Sequence, residues 1–151
     1  MPSITPFLWF DTQAEEAMNL YTSIFKNSKV LSVSRAQGRV MSVEFELQGQ
    51  KFMGLNAGPQ YQFSEAVSFF VACDSQAEID EYWEKLRAGG DENAQQCGWL
   101  KDKFGVSWQV VPTVLAELIK DPDSDKSGRV MKALLQMKKL DIAALKRAYA
   151  G

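Results

Sequence analysis

The sequence predicts an α+β fold: two tandem βαβββ modules joined into a curved mixed sheet with a central cleft, followed by C-terminal helices. Three observations carry the tandem pattern. Asp11-Thr12-Gln13-Ala14-Glu15 recurs as Asp74-Ser75-Gln76-Ala77-Glu78, an offset of 63 residues. Each copy follows an apolar run, Phe7–Phe10 and Val67–Val71, and opens an amphipathic stretch. Gly49 and Gly105 each precede the last strand of a cycle, at an offset of 56. A fixed self-similar spacing marks a repeated supersecondary unit.

The elements follow in order. Ile4–Phe10 reads as a strand. Thr12 with Glu15, and Ser75 with Glu78, are spaced as capping boxes, in which a hydroxyl accepts from the N3 amide and the carboxylate reaches back. Ala14, Ala17, Met18, Tyr21, Ile24 and Phe25 recur at helical spacing, and Asn27-Ser28 ends that helix. Lys29–Ala36 is a strand closed by Gln37-Gly38. In Val40–Leu47, the apolar Val43, Phe45 and Leu47 alternate with Ser42, Glu44 and Glu46, the period of a half-buried strand. Gln48-Gly49 turns the chain into Gln50–Asn56. The second cycle opens with Ala66–Cys73 and a helix bearing Ile79, Tyr82, Trp83 and Leu86, stopped at Gly89-Gly90. A short strand is expected near residues 91–96, then a hairpin of Cys97–Lys101 with Ser107–Val111 ended by Pro112. The expected organisation is a single domain, 1–151, with module one at about 1–57, module two at about 64–112 and a helical extension at 113–151. In the extension, Leu115–Ile119 is helical, Asp121-Pro122-Asp123 breaks it, Val130, Met131, Leu134 and Leu135 form one face, and Asp141 caps a last helix.

Composition excludes whole classes of chemistry. The 151 residues contain no histidine, so a Ser-His or Cys-His nucleophile is ruled out and the commonest metal ligand is missing. A net charge of −2 gives no basic footprint for nucleic acid. No apolar run approaches the roughly 20 residues that span a bilayer. The first cation is Lys26, so no secretory signal is expected. Two cysteines, Cys73 and Cys97, are expected to be reduced thiols of a cytoplasmic protein.

Certain segments carry a family resemblance: Ile4–Phe10, Ala14-Glu15-Glu16-Ala17 with Tyr21 and Ile24-Phe25, Gln96–Asp102, Trp108–Pro112 and the tail Met137–Ile142. Together they resemble the PhnB-like branch, named for a 3-demethylubiquinone-9 3-methyltransferase domain. That branch belongs to the vicinal oxygen chelate (glyoxalase/bleomycin-resistance) superfamily. The resemblance implies a homodimer and a concave sheet around a small-molecule cleft. No Gly-rich turn follows a first strand here, so the methyltransferase label has no visible site for a nucleotide-like methyl donor. In metal-dependent members, four ligands come from equivalent strands. The resemblance carries these to Pro6, Met53, Ala66 or Ser68, and Gln109, none of which is an ionised ligand. No metal or other cofactor is therefore expected.

The expected ligand-binding residues are Gln109 and Ser107, with Trp9, Asn56, Ser68 and Trp99. Such a site suits a neutral or zwitterionic planar compound more than a highly charged one. Cys97 is expected to be an inert thiol, and Glu44 and Glu46 to lie on a solvated face. Arg35 is expected to pair with Glu44 or with an anionic ligand. The resulting expectation is a metal-free small-molecule-binding protein. Two alternatives are an enzyme of the same superfamily working without the usual metal site, and a non-catalytic structural or regulatory dimer. No catalytic residue is assigned.

Overall fold

The computed structural model describes residues 2–151, and the chain forms two compact units, the first ending at Gln62 and the second Phe63–Gly151. The first unit contains β1 (Phe7–Phe10), α1 (Ala14–Ile24), β2 (Ser28–Ala36), β3 (Arg39–Leu47) and β4 (Gln50–Asn56). Its sheet has the order β1-β4-β3-β2, with β1 and β4 parallel and the other pairs antiparallel. Gln37-Gly38 and Gln48-Gly49 close the two hairpins with both residues at positive φ, the backbone that matches the twist of flanking strands. Side chains alternate across a strand, so Leu8, Phe10, Val43, Phe45, Leu47 and Phe52 fall on one face. They are buried together with Ala14, Ala17, Met18, Tyr21 and Ile24 of α1.

The second unit contains β5 (Ser68–Cys73), α2 (Gln76–Arg87), β6 (Trp99–Lys101), β7 (Ser107–Pro112), α3 (Val114–Ile119), α4 (Ser124–Leu134) and α5 (Ile142–Ala150). Its sheet has the order β5-β7-β6, with β5 parallel to β7. Ile79, Tyr82, Trp83 and Leu86 of α2 are buried, as are Leu100, Trp108 and Val110 of the sheet.

Register reconciles the two offsets in the sequence. Phe7 pairs with Met53 in the first unit, and Phe70 pairs with Gln109 in the second. The first strands are therefore related by 63 residues and the last strands by 56. Met53 and Gln109 occupy the same place in the repeat.

Four expectations are corrected. The strand expected near 91–96 is a 3-10 turn, Glu92–Ala94, because the Asp91 carboxylate accepts the Asn93 amide at 2.9 Å and curls the chain. The second sheet thus has one strand fewer than the first. Cys97–Lys101 is not one strand. Cys97 (φ 54°) and Gly98 (φ 86°) form a two-residue turn, with Gln96 and Trp99 exchanging both backbone hydrogen bonds. Thr12 does not cap α1. Its N-cap position is Gln13, which has no side-chain cap bond, and the Ala14 amide donates to Asn56 Oδ1 at 2.9 Å. In α4 the apolar face is narrower than expected: Val130 is buried, whereas Met131 and Leu135 are 41% and 57% exposed. Ser75 does cap α2, accepting from the Glu78 amide at 3.2 Å, while Glu78 accepts from the Asp74 amide at 2.8 Å. Asp141 caps α5 as expected.

Val111, Leu115, Leu118, Val130, Leu140 and Leu145 form a second core between the end of β7 and the C-terminal helices. Met137 and Lys138 carbonyls accept from the Cys97 and Gly98 amides, both at 2.8 Å. The Gln76 side chain donates to the Leu140 carbonyl at 3.0 Å and accepts from the Ile142 amide at 2.8 Å. Lys139 pairs with Asp80 at 2.8 Å. Among the described residues, no helix is long and apolar enough to cross a membrane.

Candidate functional site

Four of the six predicted site residues meet on one face of the second sheet. Alternation puts Phe69, Trp108 and Leu100 in one register row of the buried face, and Phe69 and Trp108 rings lie 5.3 Å apart. The opposite face then carries two rows across β5, β7 and β6: Ser68–Ser107–Lys101 and Phe70–Gln109–Trp99. Gln109 Nε2 donates to Ser68 Oγ at 2.9 Å, a diagonal bond linking the rows. Ser107 is only 2% exposed, and its Oγ has no hydrogen-bond partner among the described residues. A buried hydroxyl is ordinarily satisfied, so Ser107 has a donor to offer on this face. Phe70, beside Gln109, is 60% exposed, an apolar ring without cover.

Sequence reasoning missed two charged members of this face. Lys101 shares the row of Ser107 and pairs with Glu65, in the segment before β5. The Lys101 ammonium, by hydrogen bond and charge, holds the Glu65 carboxyl below its ordinary value. Lys101 falls on the Ser107 face by alternation along β6, but β6 is three residues long, too short for its period to be read from the sequence. Glu65 lies outside any periodic segment.

The other two predicted residues lie in the first unit. Trp9 is half-buried on the face away from α1, in register with Leu55. Its Nε1 donates to the Gly58 carbonyl at 2.9 Å, and Tyr61 meets its ring edge-on at 5.0 Å. Asn56 is engaged at both ends of its amide. Oδ1 accepts from Ala14, and Nδ2 donates to the Val40 carbonyl at 3.1 Å. It holds the α1 start against β3 rather than presenting a free amide. An open groove of about 610 Å³ lies nearby, lined by Asp11, Thr12, Glu15, Arg39, Met41 and Asn56, among others. Arg35 pairs not with Glu44 but with Glu15, at 2.6 Å. Glu44 and Glu46 pair with Lys51 and Lys29, at 3.4 and 4.0 Å.

The metal-ligand positions do not assemble a donor set. Met53 and Gln109 stand at the equivalent places, and with its amide nitrogen donating to Ser68, Gln109 offers one neutral carbonyl oxygen. Hard divalent ions take several oxygen ligands, and zinc sites take thiolate, imidazole or carboxylate. Among the described residues, no three His, Cys, Asp or Glu side chains cluster as a metal site would require. Cys73 is fully buried, and burial pushes its thiol up to about 11. That leaves it a poor nucleophile.

Comparison with known proteins adds the family. The sequence model of the 3-demethylubiquinone-9 3-methyltransferase family matches residues 2–111, ending before α3, so the tail Met137–Ile142 lies beyond the match. No curated protein matches the chain. A PhnB protein from Bacillus cereus is 37% identical, with a TM-score of 0.68, over 74% of this chain and 100% of that one. Protein PA1353 from Pseudomonas aeruginosa is 21% identical, with a TM-score of 0.60, over 74% and 98% of the two chains. The fosfomycin resistance protein FosX from Listeria monocytogenes, crystallised with Mn(II) and sulfate, is 13% identical, with a TM-score of 0.55, over 78% and 96%. The last two comparisons speak for the fold. With its tandem modules, shared register positions and matched sequence, the chain belongs to the 3-demethylubiquinone-9 3-methyltransferase-named, PhnB-like family.

Proposed function

We propose that the protein binds a small molecule on the Gln109 face of its second sheet and does so without a resident metal. The observation that carries this reading is the juxtaposition of an orphaned, buried Ser107 hydroxyl with the Gln109–Ser68 pair and the half-buried Trp99 and exposed Phe70. An apolar surface with a few convergent polar groups is the usual make-up of a small-molecule site. Gln109 stands where the metal-dependent relatives are expected to place a carboxylate. A neutral amide there orients a ligand by hydrogen bonds instead of holding a cation.

The test has two arms. Elemental analysis after mild desalting is expected to find no stoichiometric Zn, Ni, Mn or Fe. One tightly held transition metal per chain would overturn the metal-free reading. Small aromatic compounds screened by tryptophan fluorescence are expected to yield binders whose affinity falls in Gln109→Leu. Binders indifferent to that substitution would place the site elsewhere.

A further inference from the structure

We propose that the Lys101–Glu65 ion pair is a displaceable cover over a carboxylate subsite, and that the ligand is a small carboxylate with a flat apolar body. This rests on reading the Gln109 face as a binding site and names the chemistry that face would take.

Three observations converge. First, topology places the ion pair at one end of the face. Lys101 lies on β6 and Glu65 just before β5, the two strands that flank β7, so the pair crosses β7 at its Ser107 end. Second, Ser107 shares the register row of Lys101 and has an unpartnered Oγ, although it belongs to the face away from α2. Its hydroxyl proton is unused among the described residues. The Ser68 hydroxyl accepts from Gln109 and keeps its own proton to give. Two hydroxyl donors and an ammonium in one register row offer three donors to an oxyanion. Third, the group now paired with the ammonium is itself a carboxylate, and it lies largely in solvent. The Glu65 side chain is 61% exposed, against 26% for Lys101. Exposed ion pairs contribute little, so a ligand carboxylate that also reaches the two hydroxyls out-competes Glu65. The next row supplies a seat for the apolar body, with Phe70 and Trp99 on either side of Gln109. The exchange is non-covalent: one carboxylate leaves Lys101 for solvent, another replaces it, and the charge of the site is unchanged.

The probe pair is cinnamate and its neutral amide, cinnamamide, titrated into the full-length protein and followed by ¹⁵N amide shifts. The expected result is binding of cinnamate at Gln109 and Trp99, with cinnamamide weaker by about tenfold or more, the value of a charge-assisted bond. Glu65→Gln removes the competitor and is expected to tighten cinnamate by about two- to fivefold, the size of a surface ion pair. Lys101→Met is expected to erase the preference for acid over amide. Glu65 is on the surface, so Glu65→Gln reads out on a folded protein, which a thermal melt checks. If Glu65→Gln leaves cinnamate unchanged or weakens it, the pair is a structural staple and the inference falls. Equal binding of acid and amide on this face also overturns it, while leaving the small-molecule reading of the face intact. If neither probe nor any other small molecule perturbs Gln109 or Trp99, both readings fall together.

Discussion

The amide of Asn56 ties together the end of β4, the first turn of α1 and the start of β3 with two hydrogen bonds. Removing it leaves a helix amide and a strand carbonyl without partners. Asn56→Ala is therefore expected to lower stability by about 1–3 kcal/mol in urea melts. Asn56→Asp, which retains the acceptor for Ala14 but cannot donate to Val40, should lose less. A ligand role and a cap role both call for an amide at the end of a strand, so sequence alone could not separate them. Parity decides it: Asn56 is in register with buried Phe10, on the α1 side of the sheet. The place of Gln109 on the last strand followed from the family resemblance, whereas Lys101 and Glu65 lacked any periodic frame. The Cys73 thiol gives a residue-scale test of pH dependence. Burial raises it from 9.0 to about 11 in the folded chain. Between those values the unfolded chain releases a proton that the native chain keeps, so stability is full below about pH 9 and declines as pH rises toward 11. Melting temperatures should fall over that window, and Cys73→Ala should flatten part of the decline.

The two helices that open the modules start by different means, and the repeat explains how. Asn56 pairs with Phe10 as Pro112 pairs with Cys73, so Pro112 is the counterpart of Asn56. Proline has no side-chain amide to lend. The second helix therefore depends on its own Ser75, and the first takes its cap from a neighbouring strand. Ser75→Ala is expected to cost about 0.5–2 kcal/mol, the loss of an N-cap. Thr12→Ala should stay within about 0.5 kcal/mol, as for an ordinary surface change. Equal losses at both sites would contradict this division. The capping-box spacing was right about where the second helix begins, but for the first it was one residue early and wrong about what holds it, because the competing acceptor lies 42 residues away. The strand expected near residues 91–96 failed for a related reason. A single carboxylate, Asp91, curls a segment whose weak apolar pattern could not oppose it.

At the scale of the molecule, the family match ends at residue 111, and the helices beyond it are joined to the second sheet at specific points. Leu140 sits against the Gly98 turn, where an added Cβ would approach its side chain to 3.1 Å, and the turn's two amides donate to Met137 and Lys138. Leu140 is fully buried, so Leu140→Ala is expected to cost about 2–5 kcal/mol through a cavity in this core. Gly98→Ala meets both the positive φ and the Leu140 contact, and should destabilise as well. The α+β class and the order of most elements were legible from hydrophobic period and turn residues. The docking of the tail was not, because it runs through backbone carbonyls and the side chain of Gln76, which carry no pattern. That docking sets how the chain breathes. The amides of Cys97 and Gly98 are protected from solvent deuterium only while the tail carbonyls hold them, although both residues lie about 40 positions upstream. Under native conditions they should exchange at the same rate and with the same denaturant dependence as the amides of α5. The tail and the β6 hairpin would then open as one unit while the amides of α1 remain protected.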